Sequence, residues 1–187
     1  MEKNSIFSTK TLTSCALLIA MQVILARFVG ISLSETTRIS FEAIPIFLAG
    51  VLFGPLAGML VGFISDFIGA LMSFGFNPIF CIPPILYGLC GGLFRPMIIK
   101  KPNLWKFAVA FLPAVTLGSV LWQSFALAKV YGGDAKRAYL ITKLTFRGIQ
   151  FAITYVVDVL IIYGLCQSKL FQAIGLWEKK ETKYDDQ

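Results

Sequence analysis

Five residues in the stretch KLTFRGIQFAITYVVD have types and a spacing that could do chemistry: Lys143, Arg147, Gln150, Thr154 and Asp158. Offsets of four, three, four and four put all five on one side of an α-helix. At 1.5 Å per residue the row runs over about 22 Å, most of a bilayer core, so it must line a cavity or pack on polar neighbours. Its cationic outer end and polar middle suit an anionic ligand better than they suit bond-breaking. Histidine is absent, which excludes His-based triads and HExxH zinc sites. No GxxxxGK[ST] loop occurs, so the chain cannot hydrolyse a nucleotide by the P-loop route. Neither an enzyme nor a resident metal or cofactor is expected.

Other candidates gather toward the same outer half. Arg27 closes the first apolar segment, and Arg38 and Glu42 lie in the loop after it. Phe74, Phe76 and Asn77 precede a helix whose Pro83-Pro84 pair should kink it, with Tyr87 one turn further in. Trp122 and Gln123 sit about two turns before Lys129. Aromatic faces beside guanidinium and amide groups suit a flat, hydrogen-bonding, negatively charged molecule of modest size. The competing reading makes Trp122 and Phe74 ordinary interfacial anchors. The candidate binding set is Arg27, Arg38, Phe76, Asn77, Tyr87, Trp122, Lys143, Arg147 and Gln150.

The elements that must position these groups are membrane helices. The 187 residues are 57% hydrophobic and 14% charged, with a mean hydropathy of +0.76, far outside the range of soluble domains. Apolar stretches at 11–31, 43–72, 79–99, 105–128 and 144–167 each reach the ~20 residues that cross a bilayer. The first is too long for a signal peptide and lacks a small-x-small cleavage site, so it reads as a retained helix. The run 43–72 exceeds one helix, and Gly54-Pro55 divides it, because Pro suits the first turn of a new helix. The expectation is an all-α membrane protein: a single domain over 1–187 with six transmembrane helices at about 11–30, 42–53, 55–73, 79–97, 105–129 and 137–167. Both termini then share one side with Arg95, Lys100, Lys101 and Lys106, which the positive-inside rule places in the cytoplasm. Residues 1–10 and 168–187 become cytoplasmic ends. Lys136 and Arg137 on the opposite side weaken that contrast. The four cysteines fall in apolar segments and suggest packing rather than pairing. No nucleic-acid partner is expected.

Asp66 lies inside FGPLAGMLVGFISDFIGAL, where Gly50, Gly54, Gly58 and Gly62 recur every four residues. Small residues at that spacing let helices approach closely. An ionised carboxylate in mid-membrane costs roughly 2.5 to 3.5 kcal/mol even on insertion scales, so Asp66 needs a partner. On the glycine register it faces a neighbouring helix and braces the scaffold rather than a ligand. In the first helix ALLIA sets Ala16 and Ala20 one turn apart, a face for intramolecular packing or for docking a partner's helix.

Three segments together carry a resemblance: ALLIA, RISFEAIPIFLAGVLFGPLAGMLVGFISDFIGAL and FNPIFCIPPILYGL. They resemble the S components of energy-coupling factor (ECF) vitamin transporters, and in particular the folate members, over most of the chain. The resemblance implies a bacterial cell-membrane protein that captures folate or a related vitamin from outside and uses no cofactor of its own. It also implies that Ala16 and Ala20 dock on a transmembrane coupling protein carrying two ATPases, where ATP is consumed. It further implies that residues 31–41 gate the site and that the protein topples in the membrane to release its vitamin inward. Folate fits the residues: its pterin would lie deeper, near Asn77, Tyr87, Trp122 and Gln150, and its glutamate carboxylates nearer Arg27, Arg38, Lys143 and Arg147. The charged tail WEKKETKYDDQ exceeds what such proteins commonly carry. Three alternatives stand beside this reading: another vitamin such as riboflavin, an ion-coupled secondary transporter using Asp66 or Asp158, and a membrane-embedded assembly protein whose polar row only binds helices.

Overall fold

The computed structural model describes residues 9–29, 31–34, 37–39, 41–72, 75–100 and 103–167, without the side chains of 31–39 and of Asp134. The side chains of 31–39 in the gate segment, residues 1–8 of the N-terminal end, the charged tail and Phe74 lie outside these described residues.

Helix α1 (Thr9–Ile24) continues through a wide π turn at Leu25–Val29. A small antiparallel hairpin follows, β1 (Ile31–Ser34) against β2 (Thr37–Ile39), with Ile31 opposite Ile39 and Ser32 opposite Arg38. Everything else described is helical, so the all-α framework holds with this hairpin added to it. The chain goes on through α2 (Ala43–Phe53), α3 (Pro55–Leu71), α4 (Ile82–Leu93), the short α5 (Arg95–Lys100), α6 (Leu104–Pro113), α7 (Gln123–Tyr131) and α8 (Lys136–Gln167). Among the described residues three continuous helices are long and apolar enough to cross a membrane: Thr9–Val29, Leu104–Tyr131 and Lys136–Gln167.

A helix that is apolar on every side has no face for solvent and must be enclosed. That is the state of α2, in which every residue from Ala43 to Leu52 is buried. At 1.5 Å per residue it is about 16 Å long, too short to span alone. Its Phe47 meets Phe111 edge-on at 5.1 Å, and Ile98, Phe107 and Ile162 complete the surrounding core. The outer surfaces of α1, α3 and α8 instead expose Leu17, Leu56 and Ile153 among many apolar side chains, as a lipid solvent requires.

Gly54 separates α2 from α3 at φ 100°, a conformation open to glycine, and Pro55 then starts α3. This break corrects the reading of Gly50 to Gly62 as a single helical face. Gly50 belongs to α2 and Gly58 and Gly62 to α3, yet all three converge on α4. A Cβ on Gly88 of α4 would collide with the Gly58 backbone, and one on Gly50 would meet the Gly92 nitrogen at 2.7 Å. The three backbones touch because no side chain separates them. Gly88→Leu is therefore expected to destabilise the fold by about 1–3 kcal/mol or more, read as a lower thermal midpoint in detergent. An unchanged midpoint would remove this seam from the account.

Two expectations for α4 are corrected. Pro83 and Pro84 occupy its first turn, where missing N–H groups leave no gap in the ladder, so they start the helix and do not kink it. The helix also ends at Leu93 and not near 97, since Phe94 and the Arg95-Pro96 pair redirect the chain into α5. A proline does act inside the Leu104–Tyr131 helix. Pro113 removes one bond of the ladder there, and the following residues Ala114–Trp122 widen into π turns.

Candidate ligand-binding site

The widened segment after Pro113 matters because it sets the phase of Ser119 and Trp122. Ser119 is 3% exposed, and its hydroxyl shares a 2.5 Å hydrogen bond with the Tyr87 hydroxyl on α4. Its carbonyl accepts a 3.4 Å bond from Nη1 of Arg147 on α8. Three helices thus meet at one polar point inside an apolar bundle, where a buried polar group must be satisfied or costs several kcal/mol. Arg147 is 6% exposed and lies 5.8 Å from the Phe151 ring centroid, a cation–π distance.

Glu42, just before α2, is within electrostatic range of Arg147, Tyr87 and Asp158. The site is therefore polarised along α8. Its outer part carries Lys143, which lies over the Tyr139 ring at 5.4 Å, and Arg147 one turn further in. Its inner part carries Asp158 with Glu42 nearby. Thr154, between the two parts, turns its hydroxyl back to the Gln150 carbonyl at 3.0 Å and so keeps its place on the buried side without reaching across. Gln150 is half-buried one turn from Arg147.

Beside the inner end stands an aromatic layer. Phe111 lies between Tyr87, at 5.4 Å, and Tyr155, at 6.0 Å and nearly parallel, and the Tyr155 hydroxyl donates to the Ala108 carbonyl at 2.7 Å. A rim closes the outer side. Trp122 Nε1 donates to the Ile79 carbonyl at 2.9 Å, and Asn77 Oδ1 accepts from the Ile79 amide at 3.2 Å. Trp122 is thus held by the short turn Pro78–Phe80 that leads into α4 and is more than an interfacial anchor. Trp122→Phe is expected to lower stability by about 1 kcal/mol, seen in thermal unfolding, because one buried donor bond is lost. Phe76 stands apart from this rim, in an exposed cluster with Phe63 and Phe67 at 6.4 and 5.0 Å.

Of the candidates read from the sequence, Tyr87, Trp122, Arg147 and Gln150 are brought together by α4, the widened segment and α8. Lys143 extends the group outward. Asn77 touches it through Ile79, whereas Phe76 does not. Arg27 is placed elsewhere: its guanidinium packs over Gly69 of α3, where an added Cβ would stand 2.9 Å from Nη2. There it faces Asp66, which is hydrogen-bonded to Cys81 and in the field of Arg27. Asp66 accordingly braces α1, α3 and the start of α4, as its register suggested. Arg38 is described only as a β2 backbone position. Ser119 was missed because a serine in an apolar helix gives no periodic signal and Pro113 shifts the phase of whatever follows it.

Ala16 and Ala20 lie exposed on α1, with Leu12, Leu17, Met21 and Ile24 around them. Among the described residues no group of His, Cys, Asp and Glu could hold a metal ion.

Comparisons with known proteins bear on the family and the fold. Residues 6–167 match the family model described as ECF-type riboflavin transporter, S component. A folate transporter, FolT, of Clostridium novyi (strain NT) is 25% identical over 154 residues, covering 80% of this chain and 83% of its own. The crystal structure of FolT bound with folic acid superimposes with a TM-score of 0.71 at 27% identity, over 85% of this chain and 93% of that one. The biotin S component of an ECF-type ABC transporter shares the fold at a TM-score of 0.57 and 21% identity, over 90% and 95% of the two chains.

Proposed function

The chain belongs to the ECF-type riboflavin transporter S-component family, and from that premise we propose that it is the folate-binding subunit of an ECF-type vitamin transporter. The observation that carries folate is the polarity of the buried row: cations Lys143 and Arg147 outside, carboxylates Asp158 and Glu42 within. Folate has the complementary polarity, with two carboxylates at its glutamate end and a donor-rich pterin at the other. Its glutamate end is assigned to Lys143, Arg147 and, from the hairpin, Arg38. Arg27, packed over Gly69 and facing Asp66, is not assigned to that end. The pterin is assigned to the layer of Tyr87, Trp122 and Gln150, below the Asn77 rim. Likeness to two folate transporters supports the same ligand.

Riboflavin is the second reading, favoured by the description of the matching family model. It carries no carboxylate, so the Lys143–Arg147 end would face it without a partner.

The chain is then a transport subunit and not an enzyme. Its partners are a transmembrane coupling protein and two ATPases, which supply the ATP-driven step. The exposed Ala16–Ala20 face of α1 is the docking surface for the coupling protein. The cell membrane of a bacterium is the proposed location, with six helices in the bilayer and Arg95, Lys100 and Lys106 on the cytoplasmic side with both termini. Liposome uptake of folate tests this. The chain alone should give none, and adding the coupling protein, both ATPases and ATP should start it. Uptake by the chain alone under an ion gradient would instead mark a secondary carrier.

A further inference from the structure

Asp158 is the acidic residue of α8. It is 4% exposed, and its Oδ1 has no hydrogen-bond partner among the described residues. A carboxylate oxygen held in that state inside an apolar bundle carries a large desolvation penalty, and such groups are kept where something else completes them. Glu42, within electrostatic range, adds negative charge there. Tyr87 cannot relieve it, since its hydroxyl is engaged with Ser119. Arg147 lies 11 residues away on α8, about 16 Å along the helix. The missing partner must therefore bring donors.

We propose that Asp158 reads the 2-amino and N3–H edge of a pterin and is the residue that selects folate over flavin, an inference that rests on the folate reading above. The geometry of the two heterocycles makes the selection. A pterin presents two adjacent N–H donors on that edge, matching the two oxygens of one carboxylate as a parallel pair of hydrogen bonds. The isoalloxazine of riboflavin presents N3–H flanked by two carbonyl oxygens, so a carboxylate there gains one donor and faces two like partial charges. A site built to hydrogen-bond a substrate N–H rejects a ligand lacking it strongly, because its own buried group is left unpaired.

The test uses the full chain purified in detergent and a matched pair of ligands: folic acid and its analogue with a methyl group in place of the 2-amino group. The wild-type protein should bind folic acid about 100-fold more tightly than the analogue. Asp158→Asn should lose about 100-fold in folic acid affinity, keep its affinity for the analogue within a few-fold, and show a narrower margin between folic acid and riboflavin. Equal binding of both ligands by the wild type overturns the inference while leaving the folate reading intact. Unchanged folic acid affinity in a folded Asp158→Asn variant does the same. If that variant does not fold, the wild-type ligand pair decides alone. A wild type that binds riboflavin and not folic acid overturns both.

Discussion

Replacing Arg147 by alanine is expected to weaken folate binding by about 30-fold to several thousand-fold, the equivalent of about 2–5 kcal/mol for removing one partner of a buried, hydrogen-bonded charge pair. The size follows from its setting. The guanidinium is 6% exposed and is held by the Ser119 carbonyl at 3.4 Å and the Phe151 ring at 5.8 Å, so its orientation is fixed before any ligand arrives. A ligand carboxylate meeting it is desolvated, and loses most when the cation is gone. Arg147→Lys should recover only part of the loss, since an ammonium keeps the charge but not the planar fork that bonds a carboxylate at two points. Titration of each purified variant with folic acid measures this. Unchanged affinity in Arg147→Ala would move the glutamate end away from α8.

The second large effect separates binding from transport. Ala16→Trp and Ala20→Trp should abolish ATP-driven folate uptake by the reconstituted transporter and leave folate affinity of the isolated chain unchanged. Both alanines are exposed on α1, one turn apart, and neither takes part in the Tyr87–Ser119–Arg147 hydrogen bonds. Helices in lipid associate by close packing between small residues, and an indole at either position holds a docking helix away by several ångströms. Folate binding measured in detergent and uptake measured in liposomes should therefore diverge. If uptake persists in both variants, α1 docks through some other face.

The two effects depend on features that were unequally legible in the sequence. The row from Lys143 to Asp158 could be read directly, because one straight helix preserves its period and polar residues are conspicuous against an apolar background. The Gly54-Pro55 break could be read because only one arrangement suits that dipeptide between two apolar runs. Asp66 could be matched to a neighbouring helix, although its partners Arg27 and Cys81 come from distant segments that no local pattern joins. Ser119 could not be found, since its role arises from the widened turns after Pro113 and from contacts with Tyr87 and Arg147, residues 32 and 28 positions away. The Pro83-Pro84 pair misled because its effect depends on where the helix begins: in the first turn proline is compatible, and one turn later it would have kinked the chain. Arg27 illustrates the same limit. Its place at the end of α1 was legible, but its direction, toward α3 and Asp66, was set by the space over Gly69.

The polarity of the site also explains why the bundle can tolerate buried charge. Arg147 is within electrostatic range of Glu42, and Asp66 is in the field of Arg27, so opposite charges offset part of each other's desolvation. Asp158 keeps one carboxylate oxygen without a hydrogen-bond partner among the described residues. A ligand with carboxylates at one end and ring N–H donors at the other completes both ends of the row at once, whereas riboflavin brings no carboxylate and a single N–H on its ring edge.

The absorption spectrum of the purified protein, carrying whatever small molecule it captured from the cell, tests this most directly. Folate in the site predicts near-ultraviolet pterin absorption on a colourless protein, released on denaturation and identified as folate by mass. A yellow protein with the visible absorption of a flavin, released as riboflavin, would contradict it.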